Sequence, residues 1–289
     1  MNASVVNIDD RRHSRLNVEP DIERVRRALD AEFAGLKPLG FDSTVERYLG
    51  KAAGGEAVEL RVLSARASRD RAARELFYLE ADAASRLDHM NIPGTSKPEH
   101  AAGVDYCVIE HKPNARSLRA LLHNDGWLDV KDAEGIADQL ASALDHAHQQ
   151  GVLHLKLEPG CVLIEPDGWV TLADFGIDAR HGTQSGRQPR APYASPEQSN
   201  GGELDRASDL YSLGVLLYEM LTDRSPFDSN DAEYVRQKQM TSMPAAPHLI
   251  FPDVPEAVST VVMKLLATEP KNRFASAAAF QAALYDAVN

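Results

Sequence analysis

The sequence predicts an α+β protein in which a small antiparallel sheet with one long helix precedes a mostly helical second half. Short apolar segments broken by glycines run from 36 to 62, a pattern typical of hairpins. A stretch from 68 to 87 is rich in Ala, Arg, Leu and Glu and contains no Gly or Pro, which favours a long helix. Beyond position 112, apolar residues recur at helical spacing in several segments, which predicts the helical half.

The first half opens with a lead-in helix and continues into strands. Apolar residues at helical spacing follow Asp21, namely Ile22, Val25, Leu29 and Phe33, and predict a short amphipathic helix. The segment 57–63 is the clearest strand, and 106–109 is a second one. The polar residues 1–20 lack an apolar core, so we expect a loose leader and no signal peptide.

The second half contains four predicted helices and one predicted hairpin. A helix is predicted over 130–150, with Asp129 as its N-cap and Gly151 as its stop. The segments 161–164 and 169–173 flank a Pro-Asp-Gly turn, which predicts a hairpin. The segment 210–222 is apolar nearly all round, so we expect a buried helix. Two further helices are predicted over 254–267 and 276–288.

Composition excludes several classes of protein. Of 289 residues, 43% are hydrophobic and 26% charged, which is ordinary for a globular chain. The net charge of −12 argues against a nucleic-acid partner, because such a chain repels phosphate. The two cysteines, Cys107 and Cys161, lack zinc-site or disulfide-framework spacing, so a cytoplasmic location fits best. The longest apolar stretch is too short to span a bilayer, and no membrane insertion is expected.

Three motifs in the second half carry a family resemblance. Tyr-Ala-Ser-Pro-Glu-Gln at 193–198, Ser-Asp-Leu-Tyr-Ser-Leu-Gly at 208–214 and Asn-Arg-Phe at 272–274 occur in this order. The chain resembles the bacterial eukaryotic-type (Hanks-type) Ser/Thr protein kinases. The resemblance implies a bilobal protein-kinase-like fold with a leader and lead-in helix at 1–33, an N-lobe at 34–112 and a C-lobe at 113–289.

The resemblance also assigns roles to single residues. Asp174, Phe175 and Gly176 match the metal-binding D-F-G element, and Glu80 falls where the family has an ion-pairing glutamate on its long helix. His154 and Phe175 are expected to pack in the core. Four positions are implied to be structural: His154, Glu197, Asp209 and Arg273. Glu197 and Arg273 would form a buried ion pair, and Asp209 would bond the backbone of the catalytic loop.

The catalytic loop departs from the family pattern at three positions. Where the family has the H-R-D aspartate, this chain has Lys156, and a charged ammonium cannot accept a proton. Glu158 replaces a phosphate-contacting lysine, and Cys161 replaces a metal-binding asparagine. A thiol is a poor Mg²⁺ ligand. The expectation is therefore that these positions are degenerate and that no residue acts catalytically.

The nucleotide-binding positions are altered as well. The glycine-rich loop keeps only Gly40, and Asp42 adds an acid. On the strand that matches V-A-I-K, Glu59 and Arg61 stand two apart and share a face, so Glu59 takes the place of a small alanine beside adenine. We expect Arg61 to pair with Glu59, with Glu80 or with both, and Lys156 to pair with Asp174.

These departures predict a pseudokinase, that is, a catalytically inactive scaffold or allosteric regulator in bacterial signalling. Its partner would be a protein of unknown identity, and binding of ATP and Mg²⁺ would be weak or absent. No residue is predicted to bind a cofactor, and Asp174 would bind a metal only if one enters. Two alternatives stay open: a divergent Ser/Thr kinase or other ATP-dependent transferase that uses Asp174 with weak activity, and a nucleotide-binding switch that works without metal.

Overall fold

A five-stranded antiparallel sheet forms the first lobe of the chain. The computed structural model describes residues 21–41, 44–175, 192–227, 229 and 231–289. The spatial order of the strands is β1-β2-β3-β5-β4. Their bounds are Ala34–Phe41 (β1), Val45–Lys51 (β2), Ala57–Leu63 (β3), Glu99–Ala101 (β4) and Val104–Glu110 (β5). Pro38 lies in β1, one of the two edge strands, where a missing N–H donor costs least.

The two faces of this sheet are covered by different helices. Helix α1 (Ile22–Leu29) buries Val25 and Leu29 completely and packs in one apolar cluster with Leu60 and Val62 of β3. Helix α2 (Arg71–Ser85) packs through Phe77 and Ala81 in a second cluster on the opposite face. Because alternate residues of β3 point to opposite faces, the residue between Leu60 and Val62 belongs to the α2 side.

The lead-in helix is shorter than its apolar spacing predicts. It ends at Leu29, and Phe33 lies beyond it, buried in the same cluster and packed edge-on against Tyr106. Asp21 caps the helix by accepting the N–H of Arg24 at 3.0 Å. The predicted leader, residues 1–20, lies outside the described residues.

The second lobe is built on helices. Their bounds are Leu118–Asp125 (α3), Val130–Gln149 (α4), Pro196–Asn200 (α5), Arg206–Thr222 (α6), Ala232–Thr241 (α7), Pro247–Ile250 (α8), Glu256–Leu265 (α9) and Ala277–Val288 (α10). As predicted, α6 is buried nearly all round. Asp129 caps α4, and Gly151 follows that helix with φ of +71°, a conformation that favours glycine. Helices α4, α6, α9 and α10 enclose one large apolar core.

A small three-stranded sheet lies beside this core and carries the loops of the site. Strand β7 (Val162–Ile164) pairs with β6 (Arg116–Ser117) on one side and with β8 (Val170–Leu172) on the other. The predicted hairpin is therefore present. An antiparallel-sheet lobe joined to a helical lobe confirms the predicted fold class, while the boundaries 1–33, 34–112 and 113–289 stay predictions.

None of the helices in the described part of the chain combines the length and apolar character that a membrane span requires.

Candidate nucleotide-binding and catalytic cleft

Two neighbouring strands place three charged side chains on one face of the first sheet. In the register of β2 and β3, Arg47 lies opposite Arg61 and Leu49 lies opposite Glu59. Arg61 and Glu59 also share a face because they are two residues apart. Like charges directly opposite each other destabilise a sheet, so this pair of arginines needs carboxylates beside it.

Glu59 supplies the first of these carboxylates. Arg47 donates two hydrogen bonds to it, from Nε at 2.8 Å and from Nη2 at 3.0 Å. Arg61 donates a third from Nε at 2.7 Å. Burial alone would raise the pKa of Glu59, but Arg61 and Arg47 lower it below its ordinary value. The predicted pairing of Arg61 with Glu59 is therefore present.

Asp174 supplies the second carboxylate from the other lobe. It follows β8 with φ of +71°, an uncommon conformation for a residue other than glycine. Arg61 donates a hydrogen bond from Nη2 to Oδ1 of Asp174, so this ion pair joins the two lobes. Burial would raise the pKa of Asp174, yet Arg61, Arg47 and Lys156 hold that pKa far below its ordinary range. Asp174 is a buried carboxylate that stays ionised.

The expected pairing of Lys156 with Asp174 is wrong. Arg61 takes the Asp174 carboxylate. Within the ranges given above, no carboxylate lies at ion-pair distance from the Lys156 ammonium, although Lys156 still contributes to the low pKa of Asp174. The long, forked guanidinium of Arg61 spans from Glu59 to Asp174, a reach and a donor geometry that lysine lacks. Lys156 is half-buried.

Sequence reasoning missed Arg47 altogether. One feature of β2 points to Arg47: this arginine shares a face of the strand with Val45, which is buried, and Leu49, which is half-buried. An arginine between such neighbours, on a strand next to one with an inward-facing glutamate, indicates a buried ion pair. The strand register was needed to recognise it.

Asp209 fixes the backbone of the catalytic loop. This fully buried residue of α6 accepts the N–H of His154 at 2.8 Å and the N–H of Leu155 at 2.7 Å. His148 of α4 bonds the same carboxylate through Nε2 at 2.8 Å. Leu155 has φ of +55°. Because such a backbone costs on the order of 1–3 kcal/mol, these bonds to Asp209 hold a loop that would otherwise relax.

The other predicted scaffold contacts are also found. The rings of His154 and Phe175 pack edge-on with centroids 4.7 Å apart. Arg273 donates to Glu197 from Nη1 at 2.6 Å and from Nη2 at 2.9 Å. Arg273 and Glu197 are both buried. The loop and helices around the cleft are therefore held in place by buried, satisfied polar contacts.

Glu158 and Cys161 lie on the same loop in different surroundings. The Glu158 carboxylate contacts Nη2 of Arg119, on α3, at 3.1 Å. The Cys161 thiol is buried, 3.4 Å from the carbonyl oxygen of Lys156 and 3.7 Å from Oδ2 of Asp174. Burial and Asp174 raise the pKa of Cys161 well above its ordinary value. Cys161 is a protonated thiol, which agrees with a packing role.

Four more residues of the cleft were predicted from the sequence: Glu80, Gly40, Gly176 and Asp42. Glu80 is buried on α2, and its pairing with Arg61 stays a prediction. Gly40 lies in β1 opposite Arg47, and a Cβ there would meet no atom within 4 Å. Gly176 and Asp42 lie outside the described residues.

The donor set can be tested against MgATP, the substrate pair that the family resemblance implies. Mg²⁺ in nucleotide sites takes one or two carboxylates together with substrate phosphates, and Asp174 offers one ionised carboxylate. Arg61 offers a guanidinium suited to phosphate. Cys161 does not fit, because a protonated thiol is a poor ligand for a hard cation. In the described residues no group of three or more His, Cys, Asp or Glu side chains could hold a metal by itself, so phosphate oxygens would have to complete the shell.

Comparisons with known proteins agree with this geometry. The family model "Protein kinase domain" matches residues 40–285. Among curated proteins, the chain is 31% identical to the probable serine/threonine-protein kinase PknB of Bifidobacterium longum, over 78% of this chain and 35% of that protein. It is 34% identical to the serine/threonine-protein kinase PknB of Mycobacterium leprae, over 78% of this chain and 38% of that protein. The chain thus spans about a third of the length of these relatives.

A solved structure shows the same fold. The crystal structure of the Mycobacterium tuberculosis PknI kinase domain matches with a TM-score of 0.69 and 27% identity. The match covers 88% of this chain and 96% of the PknI chain.

Two sequence-based expectations are contradicted by these comparisons. The first is that the chain is not an enzyme, yet the relatives that it matches over most of its length are named serine/threonine-protein kinases. The second is that binding of ATP and Mg²⁺ is weak or absent, yet the match is to a family that uses both. The expectations failed because they judged the cleft from Lys156, Glu158 and Cys161 and gave too little weight to the Asp174 carboxylate and to the scaffold contacts that remain.

Proposed function

Because this chain belongs to the protein kinase domain family, we propose that it is a divergent Ser/Thr protein kinase domain that transfers the γ-phosphoryl group of MgATP slowly to a protein hydroxyl. The observation that carries the proposal is the meeting of Asp174 and Arg61 across the two lobes, on an otherwise intact scaffold. One is an ionised carboxylate suited to Mg²⁺, and the other is a cation suited to phosphate.

Charge balance explains how the cleft accepts the substrate. Asp174 and Arg61 neutralise each other in this structure, and MgATP brings a cation and an anion of its own. When MgATP binds, Asp174 would pair with Mg²⁺ and Arg61 would pair with phosphate in place of their pairing with each other. Both buried charges then keep a partner of opposite sign, so neither carries the large free-energy cost of an unpaired buried charge. When bound, Mg²⁺ neutralises the charge that develops on the phosphates.

The same balance predicts a slow enzyme. Glu59 holds Arg61 through a 2.7 Å bond and holds Arg47 through two further bonds. The phosphates of a nucleotide have to compete with Glu59 for Arg61. The apparent affinity for nucleotide is therefore the intrinsic affinity multiplied by the fraction of molecules in which Arg61 is available to phosphate. Cys161 also replaces the asparagine whose amide oxygen would bind a second metal ion in this family, and its thiol is a poor ligand for Mg²⁺.

Transfer of the γ-phosphoryl group from radiolabelled ATP tests the proposal. The purified chain is incubated with Mg²⁺ or Mn²⁺ and a generic Ser/Thr acceptor such as myelin basic protein. We expect slow, metal-dependent labelling of Ser or Thr that Asp174→Asn abolishes, because that variant loses the metal-binding charge. No labelling by the folded wild type under any metal condition would overturn the proposal. Nucleotide binding without metal and without transfer would favour a metal-independent switch instead.

A further inference from the structure

We infer that Glu158 accepts the proton of the substrate hydroxyl and that Lys156 neutralises the transferred phosphate, so that the two charges of the catalytic loop have exchanged positions. This inference rests on the proposed function. Where the family resemblance places an acid and then, two residues later, a lysine, this chain has a lysine and then a glutamate. One acid and one ammonium are still present on the same loop.

Glu158 lies where a protein substrate could reach it. With Lys156 it lines a pocket between the catalytic loop, Tyr193 and Ser212 of α6. Its side chain keeps 18% of its surface exposed, which is enough for contact with a substrate. Asp174, in contrast, is held in the ion pair with Arg61 and does not line this pocket. Among the carboxylates described here, Glu158 is therefore the one that combines a place on the catalytic loop with access to this pocket.

Arg119 acts as a positioning residue for Glu158. Its guanidinium lies 3.1 Å from Oε1 of Glu158. A Cβ added at Gly160 would come within 3.3 Å of the same carboxylate oxygen and 3.4 Å of the Arg119 guanidinium, so the loop backbone packs closely against this pair. A carboxylate has about four lone-pair sites, so an ion pair with a guanidinium does not by itself prevent it from accepting a proton.

Two charged side chains of the described residues lie close to Glu158. Arg119 faces it from α3, and Lys156 shares its loop. Tyr193 faces it across the pocket and donates its hydroxyl to Glu219 of α6 at 2.9 Å. Burial raises the pKa of Tyr193 above the physiological range, so that hydroxyl stays protonated and does not compete as a base.

Lys156 is suited to the phosphate role. The residue is half-buried, and its ammonium has no ion-pair partner in the described part of the chain, yet its charge acts on Asp174. It therefore lies near the proposed metal ligand with its charge available. An ammonium at such a place can stabilise the anionic transferring group.

The reaction step balances without another reactant. The substrate oxygen forms a bond to the γ-phosphorus while its O–H proton passes to the Glu158 carboxylate. The bond from the γ-phosphorus to the bridging oxygen breaks, and its electron pair leaves with ADP. The proton on Glu158 is then released to water.

The first test compares Glu158→Gln with the wild type and with Glu158→Asp over a range of pH. A general base contributes about a hundredfold or more, so we expect Glu158→Gln to lower kcat by about a hundredfold with little change in the KM for ATP. The kcat of Glu158→Gln should also lose the decrease at acidic pH that the wild type shows. Glu158→Asp should recover part of the kcat and part of its dependence on pH. Glu256→Gln, the same change at an exposed position of α9, is the matched control and should behave as the wild type.

The second test uses the charge exchange itself. Lys156→Asp leaves two acids and Glu158→Lys leaves two ammonium groups, so each single variant should lose at least about tenfold in kcat. The double variant restores one acid and one ammonium and should recover activity to the wild-type level or above it. Such non-additivity is the signature of coupled residues.

The outcomes separate this inference from the proposed function. If the wild type transfers phosphate and Glu158→Gln keeps the wild-type kcat and pH profile, Glu158 is not the base although the chain is a kinase. If the double variant is as poor as the worse single variant, the exchange of roles is wrong. If the wild type transfers nothing while the double variant does, the proposed function fails.

Discussion

At the scale of single residues, the cleft depends on Glu59, because this side chain lies between two arginines that oppose each other across β2 and β3. Arg61 also bonds Asp174, but Arg47 makes both of its described side-chain hydrogen bonds to Glu59. Loss of the carboxylate therefore leaves the half-buried Arg47 facing the buried Arg61 without an anion between them. Removal of one partner of a buried ion pair is costly for this reason.

We predict that Glu59→Ala lowers the free energy of unfolding by about 3 kcal/mol. This is the low end of the range for a broken buried pair, since the partly exposed Arg47 can turn toward water. The double variant Arg47→Met/Glu59→Ala removes the stranded cation and should lose clearly less. Urea denaturation measures both, and equal losses in the single and double variants would contradict this description of the cluster.

The residues of the site show how far sequence reasoning can go. Pairs at fixed spacing on one element were predictable, as with Glu59 and Arg61 on β3, and the family resemblance supplied the pair of Glu197 and Arg273. The partner of Asp174 was not predictable, because the charges of both Arg61 and Lys156 act on Asp174 and only the Arg61 side chain reaches it. Arg47 was missed since its importance depends on strand register, which a single sequence does not fix.

At the scale of elements, α6 and the end of α9 approach each other at unusually short distance. A Cβ added at Gly214 of α6 would lie 2.6 Å from the Cβ of Leu265 and 3.3 Å from a side-chain carbon of Leu266. Such contacts require a shift of the helices. The sequence predicted both helices and the burial of α6, but it gave no indication of which face approaches α9 most closely, because α6 is apolar nearly all round.

We predict that Gly214→Ala destabilises the fold by about 2 kcal/mol, as expected for overpacking of a dense core. The matched control is Gly135→Ala in α4, where a Cβ would meet no atom within 4 Å. That substitution should stabilise the protein by about 0.5–1 kcal/mol, because alanine is the better helix former. Thermal and urea unfolding measure the opposite signs, and a stabilising Gly214→Ala would show that the two helices are not so closely packed.

At the scale of the whole molecule, the pH dependence of stability depends on groups whose pKa values are lowered by folding. Among them are the carboxylates Glu59, Asp174, Glu197 and Asp209 together with the imidazoles of the buried His154 and the half-buried His89. Burial lowers the pKa of the two imidazoles, whereas in the carboxylates the nearby cations and donors outweigh burial. Glu219 acts in the opposite direction, since burial raises its pKa.

We predict that stability rises with pH from about 3 to about 7. A group with a lowered pKa in the folded state binds its proton more readily when the chain is unfolded, so acid favours unfolding. The histidines contribute below their unfolded pKa of about 6.5 and the carboxylates below about 4, at up to ~1.4 kcal/mol per pH unit for each group. Urea midpoints across this range measure the slope.

The contribution of His154 can be separated from the rest. Its Nε2 lies 2.9 Å from the carbonyl oxygen of Ala173 and its Nδ1 lies 3.3 Å from the backbone nitrogen of Lys156, which fits a neutral ring protonated on Nε2. Replacement of His154 by Gln should therefore reduce the slope between about pH 5 and 6.5 and leave the steeper fall below about pH 4. A slope unchanged by this substitution would contradict the assignment.

The central claim is that MgATP replaces the ion pair of Asp174 and Arg61 by one pair of Asp174 with Mg²⁺ and another of Arg61 with phosphate. The most direct test is to measure the binding of ATP to the folded chain by calorimetry, once with Mg²⁺ and once with EDTA. We predict that the wild type binds ATP more tightly with Mg²⁺ than with EDTA and that Asp174→Asn removes this difference. A wild-type chain that is folded and takes up no nucleotide under either condition would contradict the account.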